Sequence, residues 1–91
     1  METFERGDTP YFRWLMSNPN GYVLNVLRSR THHGLMLHRA DCWTIRSDGM
    51  RGSGWTTGGY SKVCSRRRET LRQWARRHIG ELPPGCRKCH P

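Results

Sequence analysis

The sequence predicts a small α+β domain, with its elements in the order helix, strand, strand, strand, helix. Three observations predict it. Apolar residues recur at helical spacing near both ends of the chain, three segments rich in β-branched and aromatic residues lie between them, and turn-forming residues separate those segments. At 91 residues and 34% hydrophobic content, the chain makes one domain with a small core. We expect a flexible N-terminus over residues 1–7 and one compact domain over residues 8–91.

The two helices are predicted by their termini and by their apolar faces. Asp8 and Pro10 are typical of a helix start, and Pro19 ends this helix because it disfavours the α conformation at the residue before it. Ser65 is a candidate cap for the last helix, and Gly80 is a typical residue just beyond its end. The apolar faces are formed by Tyr11, Trp14 and Leu15 in the first helix and by Leu71, Trp74, Ala75, His78 and Ile79 in the last.

The three strands are expected over residues 21–28, 35–40 and 60–64, and the first two are expected to pair as an antiparallel hairpin. Residues 42–45 either extend the second strand or form a short element of their own. Residues 46–59 form a long glycine-containing loop, and such loops are often functional. We expect a three-stranded antiparallel sheet with both helices packed on one face, and Trp14, Trp43 and Trp74 in the core.

The charge of the chain indicates a polyanionic partner. Fourteen of the sixteen basic residues are arginine, seven acidic residues oppose them, the formal net charge is +9 and the pI is about 10.5. Guanidinium groups bind phosphate in a bidentate manner, which makes duplex DNA the favoured partner. An anionic membrane surface or an acidic protein partner is the alternative. The N-terminus has no apolar signal segment, so we expect a cytoplasmic protein, and we expect it to be a monomer.

Two segments are the main candidates for DNA contact. The loop around Trp55 combines an aromatic ring with glycines and arginines, so Trp55 either stacks on a base or folds back over the core. Three consecutive arginines stand at the start of the last helix, where their unfavourable interaction with the helix dipole suggests a compensating partner such as phosphate. The alternative is a solvated charged turn. The full set of predicted DNA-binding residues is Arg28, Arg30, His32, His33, Arg39, Arg46, Arg51, Trp55, Thr56, Thr57, Lys62, Arg66, Arg67 and Arg68.

The cysteines predict a structural zinc site. Cys86 and Cys89 form a C-x-x-C knuckle in which both thiolates can reach one tetrahedral metal. Cys42 and Cys64 can supply the other two ligands, and this site would clip the C-terminal tail to the sheet. His38 or His90 can replace one cysteine. The alternative is a pair of buried structural cysteines beside an unligated knuckle.

A catalytic function is less favoured by the sequence. His32, His33 and His38 invite comparison with a small metal-dependent nuclease, but no helix follows the hairpin directly. The sequence also shows no pair of carboxylates suited to two-metal phosphodiester hydrolysis. We therefore expect a non-catalytic module. The alternatives are a small metal-dependent nuclease and a zinc-stabilised protein-interaction module with an acidic partner.

Several motifs resemble a small actinobacterial domain found alone and in the N-terminal region of McrA-type modification-dependent HNH restriction endonucleases. They are Tyr11-x-x-Trp14, the segment from Asn18 to Asn25, Leu35-x-Leu-His-Arg-Ala-x-Cys42, Tyr60-x-Lys-Val-Cys64 and the final C-x-x-C. The resemblance extends from about residue 8 to residue 90. It implies a DNA-binding module of a restriction or defence system rather than the nuclease portion.

Overall fold

The structure is a computed structural model that describes residues 1–46 and 54–91, and it confirms the α+β class. These residues contain two α-helices and four strands, with one short 3-10 helix between the third and fourth strands. The elements are β1 (Glu2–Phe4), α1 (Asp8–Ser17), β2 (Tyr22–Leu27), β3 (Met36–Arg39), the 3-10 helix (Trp43–Ile45), β4 (Tyr60–Ser65) and α2 (Arg68–His78).

The four strands form one antiparallel sheet in the order β1-β4-β2-β3. The hairpin of β2 and β3 was predicted and is confirmed. The prediction of three strands is wrong, because residues 2–4 of the expected flexible N-terminus pair with β4 as an edge strand. Three residues are too few to show a strand period in the sequence. At the opposite edge, Gly85 of the C-terminal tail forms a parallel bridge with Leu37 of β3.

The prediction that both helices pack on one face is also wrong, because α1 and α2 lie on opposite faces. Side chains alternate between faces along a strand, and neighbours in β2 contribute to different cores. Val23 packs with α1 residues, whereas Leu24 packs with Leu71 and Ala75 of α2. The β4 neighbours Val63 and Cys64 divide in the same way. The central strands are therefore apolar on both faces, and each face needs a helix to cover it.

The core on the α1 face is built around Tyr11, which is fully buried and donates its hydroxyl hydrogen bond to the Ile45 carbonyl at 2.6 Å. Trp14 and Trp55 belong to the same cluster. Trp43, which was expected in the core, is half exposed at 50%. The expected core position of Trp43 is thus wrong, and Trp55 follows the second of its two interpretations, because it folds back over the core.

The helices begin and end near the predicted residues, but the predicted cap residues do not cap them. Helix α1 spans Asp8–Ser17 as predicted, but its N-cap residue is Gly7, and the Asp8 carboxylate binds elsewhere. Helix α2 begins at Arg68, and the Ser65 hydroxyl accepts the Arg67 backbone N–H at 3.1 Å instead of capping the helix. Within the described residues, neither helix has the length and apolar character needed to cross a membrane.

Candidate metal centre and basic surface

The sheet edge and the C-terminal tail bring together four side chains that can hold a metal ion. One nitrogen of His38 and the sulfurs of Cys42, Cys86 and Cys89 all lie within 4.8 Å of one another. His38, Cys42 and Cys86 are buried, and Cys89 is half-buried. One imidazole and three thiolates in a closed group match the tetrahedral ligand sets of structural zinc sites.

Local backbone pairing positions these ligands. His38 lies on β3, and Cys42 follows that strand directly before the 3-10 helix. The tail is held against β3 by two backbone hydrogen bonds of 2.8 Å, from Leu37 N–H to the Pro84 carbonyl and from Cys86 N–H to the Leu37 carbonyl. This pairing places the Cys86 sulfur 3.9 Å from the Cys42 sulfur.

Backbone N–H groups also point at the sulfurs, as expected in a metal-binding knuckle. Lys88 N–H donates to the Cys86 sulfur at 3.3 Å, and Arg39 N–H donates to the Cys89 sulfur at 3.2 Å. Burial alone would raise the pKa of Cys86, but the hydrogen bonds from Lys88, Cys89 and Cys42 outweigh it and lower that pKa. Burial raises the pKa of the Cys89 thiol to about 12. Cys86 is therefore the thiol most readily converted to the thiolate that a metal requires.

The state of His38 also fits a metal ligand. Burial, followed by the positive charge of Lys62, lowers the pKa of His38 to about 4, so its imidazole is neutral. Neutral imidazole is the form that coordinates metals. The His38 Nδ1 atom is buried and has no hydrogen-bond partner among the described residues. A metal ion bound at this atom would satisfy it.

The group does not include Cys64, which was predicted as a zinc ligand, and contains His38 instead. Cys64 and His38 lie in one row across the sheet, but Val23 of β2 stands between them and pairs with both. Two strand spacings separate the outer residues by roughly 10 Å, and the Cys64 sulfur lies outside the group of ligand atoms. Burial raises the pKa of the Cys64 thiol, and this side chain packs in the α1 core. His90 is exposed and lies outside the group.

Three of the predicted DNA-binding residues are buried, which is incompatible with direct contact to DNA. Trp55 is 3% exposed and packs edge-on against Phe12, with 6.5 Å between ring centroids. Thr56 is fully buried. Lys62 is 2% exposed, and its ammonium group donates to Asn25 Oδ1 at 2.7 Å and to the Trp55 carbonyl at 2.9 Å.

Two predicted arginines hold the fold together. The Arg28 guanidinium donates to the carbonyls of Glu5, Thr56 and Gly58, which ties the N-terminal segment to the segment before β4. Arg30 pairs with the Glu5 carboxylate at 2.6 Å and lies over the Trp74 ring, 5.3 Å from its centroid. These contacts use the donors and the planar face that binding to DNA would need.

The remaining predicted residues are exposed, but they do not form one cluster. His32 and His33 lie in the turn between β2 and β3, at the end of the sheet opposite Arg39 and Arg66. Arg51 lies outside the described residues. Apart from Arg28, which is exposed but bound to three carbonyls, the exposed members of the predicted set are His32, His33, Arg39, Arg46, Thr57, Arg66, Arg67 and Arg68.

The structure adds basic residues that the site prediction omitted. Residues 66–77 contain six arginines and one acidic residue, and they include most of α2. Arg87 and Lys88, which lie between the two knuckle cysteines, are exposed. We name the combined surface the basic face; it comprises Arg39, Arg66, Arg67, Arg68, Arg72, Arg76, Arg77, Arg87 and Lys88. The sequence signal was the polar side of the α2 periodicity, which is arginine-rich.

Backbone geometry joins the parts of the basic face. Arg39 and Ser65 both pair with Tyr22 of β2, so the end of β3 and the end of β4 lie at the same end of the sheet, on either side of β2. Tyr22 packs against the α2 core, and residues directly opposite in a sheet point to the same face. Arg39 therefore lies on the α2 face. The end of the tail reaches α2 as well, because Arg68 Nη1 lies 3.5 Å from the Pro91 carbonyl.

Comparison with family profiles, curated proteins and solved structures finds no match to this chain. The resemblance to the N-terminal region of McrA-type endonucleases therefore stays a prediction. Among the residues that the structure describes, the group that can hold a metal contains three sulfurs and one nitrogen and no carboxylate. Mg²⁺ prefers oxygen ligands, so this ligand set favours structural zinc over the hard cations typical of phosphodiester hydrolysis.

Proposed function

We propose that this protein is a zinc-stabilised, non-catalytic domain that binds duplex DNA, mainly through the phosphate backbone and with low sequence specificity. The basic face is the observation that carries the proposal. Its nine cationic side chains come from β3, from the segment that includes α2 and from the tail of a domain with a net charge of +9. A concentration of basic residues of this kind is the electrostatic footprint of nucleic-acid binding.

The start of α2 supports phosphate binding in particular. Arg66, Arg67 and Arg68 are exposed at the N-terminus of the helix, where the partial positive charge of the backbone makes cations unfavourable. A phosphate at this position interacts favourably with the free N–H groups of the first turn and with the guanidinium groups. The local charge repulsion is therefore relieved in a DNA complex.

The metal centre supports the same function through the position of the tail. Zinc bound by His38, Cys42, Cys86 and Cys89 would join the tail to β3 and fix the knuckle residues Arg87 and Lys88 on the basic face. The metal supplies structural cross-linking and no catalytic step. Because metal binding is coupled to folding, it would also stabilise a domain whose two cores are small.

A binding assay with duplex DNA tests the proposal. Fluorescence anisotropy with a labelled 20-base-pair duplex of random sequence, repeated at several salt concentrations, gives the number of phosphates neutralised. Contact with five to seven phosphates predicts a slope of log K against log salt of about −4.5 to −6. We expect unrelated duplexes to bind with similar affinity. A flat salt dependence would exclude phosphate contact and favour an acidic protein partner.

A double variant locates the contact. Replacing Arg67 and Arg68 by Ala removes two cations from the first turn of α2, so the slope should fall in magnitude by about two units for every duplex. Circular dichroism confirms that α2 remains folded. The double variant Thr57→Ala/His33→Ala, which changes exposed residues outside the basic face, is the control and should leave the slope unchanged.

A further inference from the structure

We propose that the exposed face of α2 lies in the major groove of B-form DNA when the domain is bound. This inference rests on the proposed function and extends it, because it assigns the form of nucleic acid and the groove. The basic face could bind any polyanion through phosphates alone. The shape and residue types of α2 make a more specific arrangement possible.

The position of α2 exposes one long side of the helix. Leu71 and Ala75 are fully buried against β2 and β4, and Gln73, Arg76 and Arg77 are exposed on the other side. The eleven residues of α2 extend about 16 Å, and a helix with its side chains is about 10–12 Å across. The major groove of B-form DNA is about 12 Å wide and accepts a helix of this size.

The exposed residues have the chemistry that reads base edges. Arginine binds guanine O6 and N7 with two hydrogen bonds, and glutamine binds adenine N6 and N7 in the same manner. Gln73, Arg76 and Arg77 follow each other at spacings of three and one, which places all three on one helical face. Glu69 is held by Arg72 at 2.8 Å, so this carboxylate is paired with a cation on its own helix.

Further basic residues outside the helix face are available for phosphate contacts. Arg66 and Arg67 precede the first turn, and Arg87 and Lys88 are exposed on the tail. The tail is linked to the helix through the contact between Arg68 and Pro91. Phosphate contacts from these residues would hold α2 in the groove while Gln73 and Arg76 face the bases. Because guanine and adenine recur in any duplex, one or two such contacts are compatible with low sequence specificity.

This arrangement requires B-form geometry. The major groove of A-form RNA is deep and narrow, and side chains on a helix do not reach its base edges. A domain that used only phosphate contacts would bind both duplexes. Preference for duplex DNA over duplex RNA of the same sequence therefore separates groove insertion from backbone binding.

The experiment measures anisotropy at one salt concentration with three duplexes of one sequence: DNA, RNA, and DNA whose cytosines carry glucosylated hydroxymethyl groups that fill the major groove. We expect the RNA and the glucosylated DNA to bind roughly tenfold more weakly than the plain DNA, from the loss of at least one bidentate base contact. Equal affinity for all three duplexes would overturn groove insertion.

Two variants that change hydrogen bonding and not charge complete the test. Arg76→Lys and Gln73→Ala should each weaken binding to plain DNA by roughly fivefold or more, with no change in salt slope. Arg13→Lys, on the exposed side of α1, is the matched control and should bind like the wild type. If Arg76→Lys also binds like the wild type while the salt slope stays steep, α2 contacts only phosphates. Loss of salt-dependent binding to every duplex would instead refute the proposed function itself.

Discussion

Asp8 joins the start of α1 to the segment that precedes β4. Its carboxylate accepts backbone N–H groups from Gly54 at 2.8 Å, Trp55 at 3.2 Å and Thr56 at 2.8 Å, and the Thr56 hydroxyl at 3.0 Å. Partial burial raises the pKa of Asp8, but these hydrogen bonds outweigh it, so the pKa lies below its ordinary value. The same contacts hold Trp55 over the α1 core.

Replacement of Asp8 by Asn should destabilise the domain, because the amide offers one neutral oxygen to several backbone donors. Hydrogen bonds to a charged group contribute about 1.5–3 kcal/mol each, and the loss should be of that order. In the wild type, the stabilisation is present above the unfolded-state pKa of about 4 and is lost as the pH falls through the lower folded-state pKa. Urea denaturation between pH 2 and pH 7 should show this acid-dependent loss in the wild type and a weaker one in Asp8→Asn. Parallel curves would contradict the role of Asp8.

The two tryptophans near the loop provide a second test at the residue scale. Trp55→Ala removes a side chain that is only 3% exposed, so it should lower the free energy of unfolding by about 3–5 kcal/mol. The DNA affinity of the protein that remains folded should not change. Trp43→Ala is the control, because Trp43 is half exposed and its removal should change stability by about 0.5 kcal/mol or less. Weaker DNA binding by Trp55→Ala without loss of stability would restore the base-stacking interpretation.

At the scale of elements, the sequence predicted the helices and strands whose positions depend on neighbouring residues. Helix α1 and strands β2 and β4 lie where period, proline and turn residues placed them. Strand β1 was missed because its three residues carry no period and their pairing with β4 spans about sixty residues. The placement of the helices on opposite faces was missed because the adjacent apolar residues Val23-Leu24 and Val63-Cys64 were taken only as evidence for strands. Consecutive apolar residues in a strand indicate burial on both faces.

The order of the strands explains why the group of possible metal ligands contains His38 and not Cys64. The hairpin of β2 and β3 was predictable, but β4 can join such a hairpin on either side. Pairing with β3 would have placed Cys64 near His38, whereas the observed pairing with β2 puts Val23 between them. The number of residues between β3 and β4 does not determine whether β4 pairs with β2 or with β3. The spacing His38-x-x-x-Cys42, beside the C-x-x-C knuckle, was the available signal for the observed set.

Metal content should therefore distinguish the two residues. Wild-type protein should contain about one zinc per chain. His38→Ala should lose zinc or bind it more weakly, and its melting temperature should fall because metal binding stabilises the folded state. Cys64→Ala should keep its zinc, although loss of a fully buried side chain lowers its stability. Elemental analysis after dialysis against a mild chelator measures both. Zinc retained by His38→Ala and lost by Cys64→Ala would support the four-cysteine site instead.

At the scale of the whole molecule, the charges are distributed unevenly around the sheet. Three of the seven acidic residues lie within the first eight residues: Glu2 on β1, Glu5 between β1 and α1, and Asp8 at the start of α1. Of these, Glu5 is paired with Arg30 and Asp8 is bound by backbone N–H groups. Residues 66–77, which include most of α2, contain six of the fourteen arginines and one acidic residue. An uneven distribution orients the domain toward a polyanion before contact, which total charge alone does not do.

A pair of charge-reversal variants with equal net charge tests this distribution. Arg66→Glu/Arg67→Glu and Arg6→Glu/Arg13→Glu each change the formal charge by −4, from +9 to +5. Acidic residues at the start of α2 interact favourably with the helix dipole, so the first variant should fold at least as well as the wild type. Its salt slope for duplex DNA should nevertheless fall in magnitude by about two units or more. The second variant changes exposed residues of the N-terminal segment and α1, and it should keep the wild-type slope. Equal losses in both variants would mean that total charge, and not the basic face, determines DNA binding.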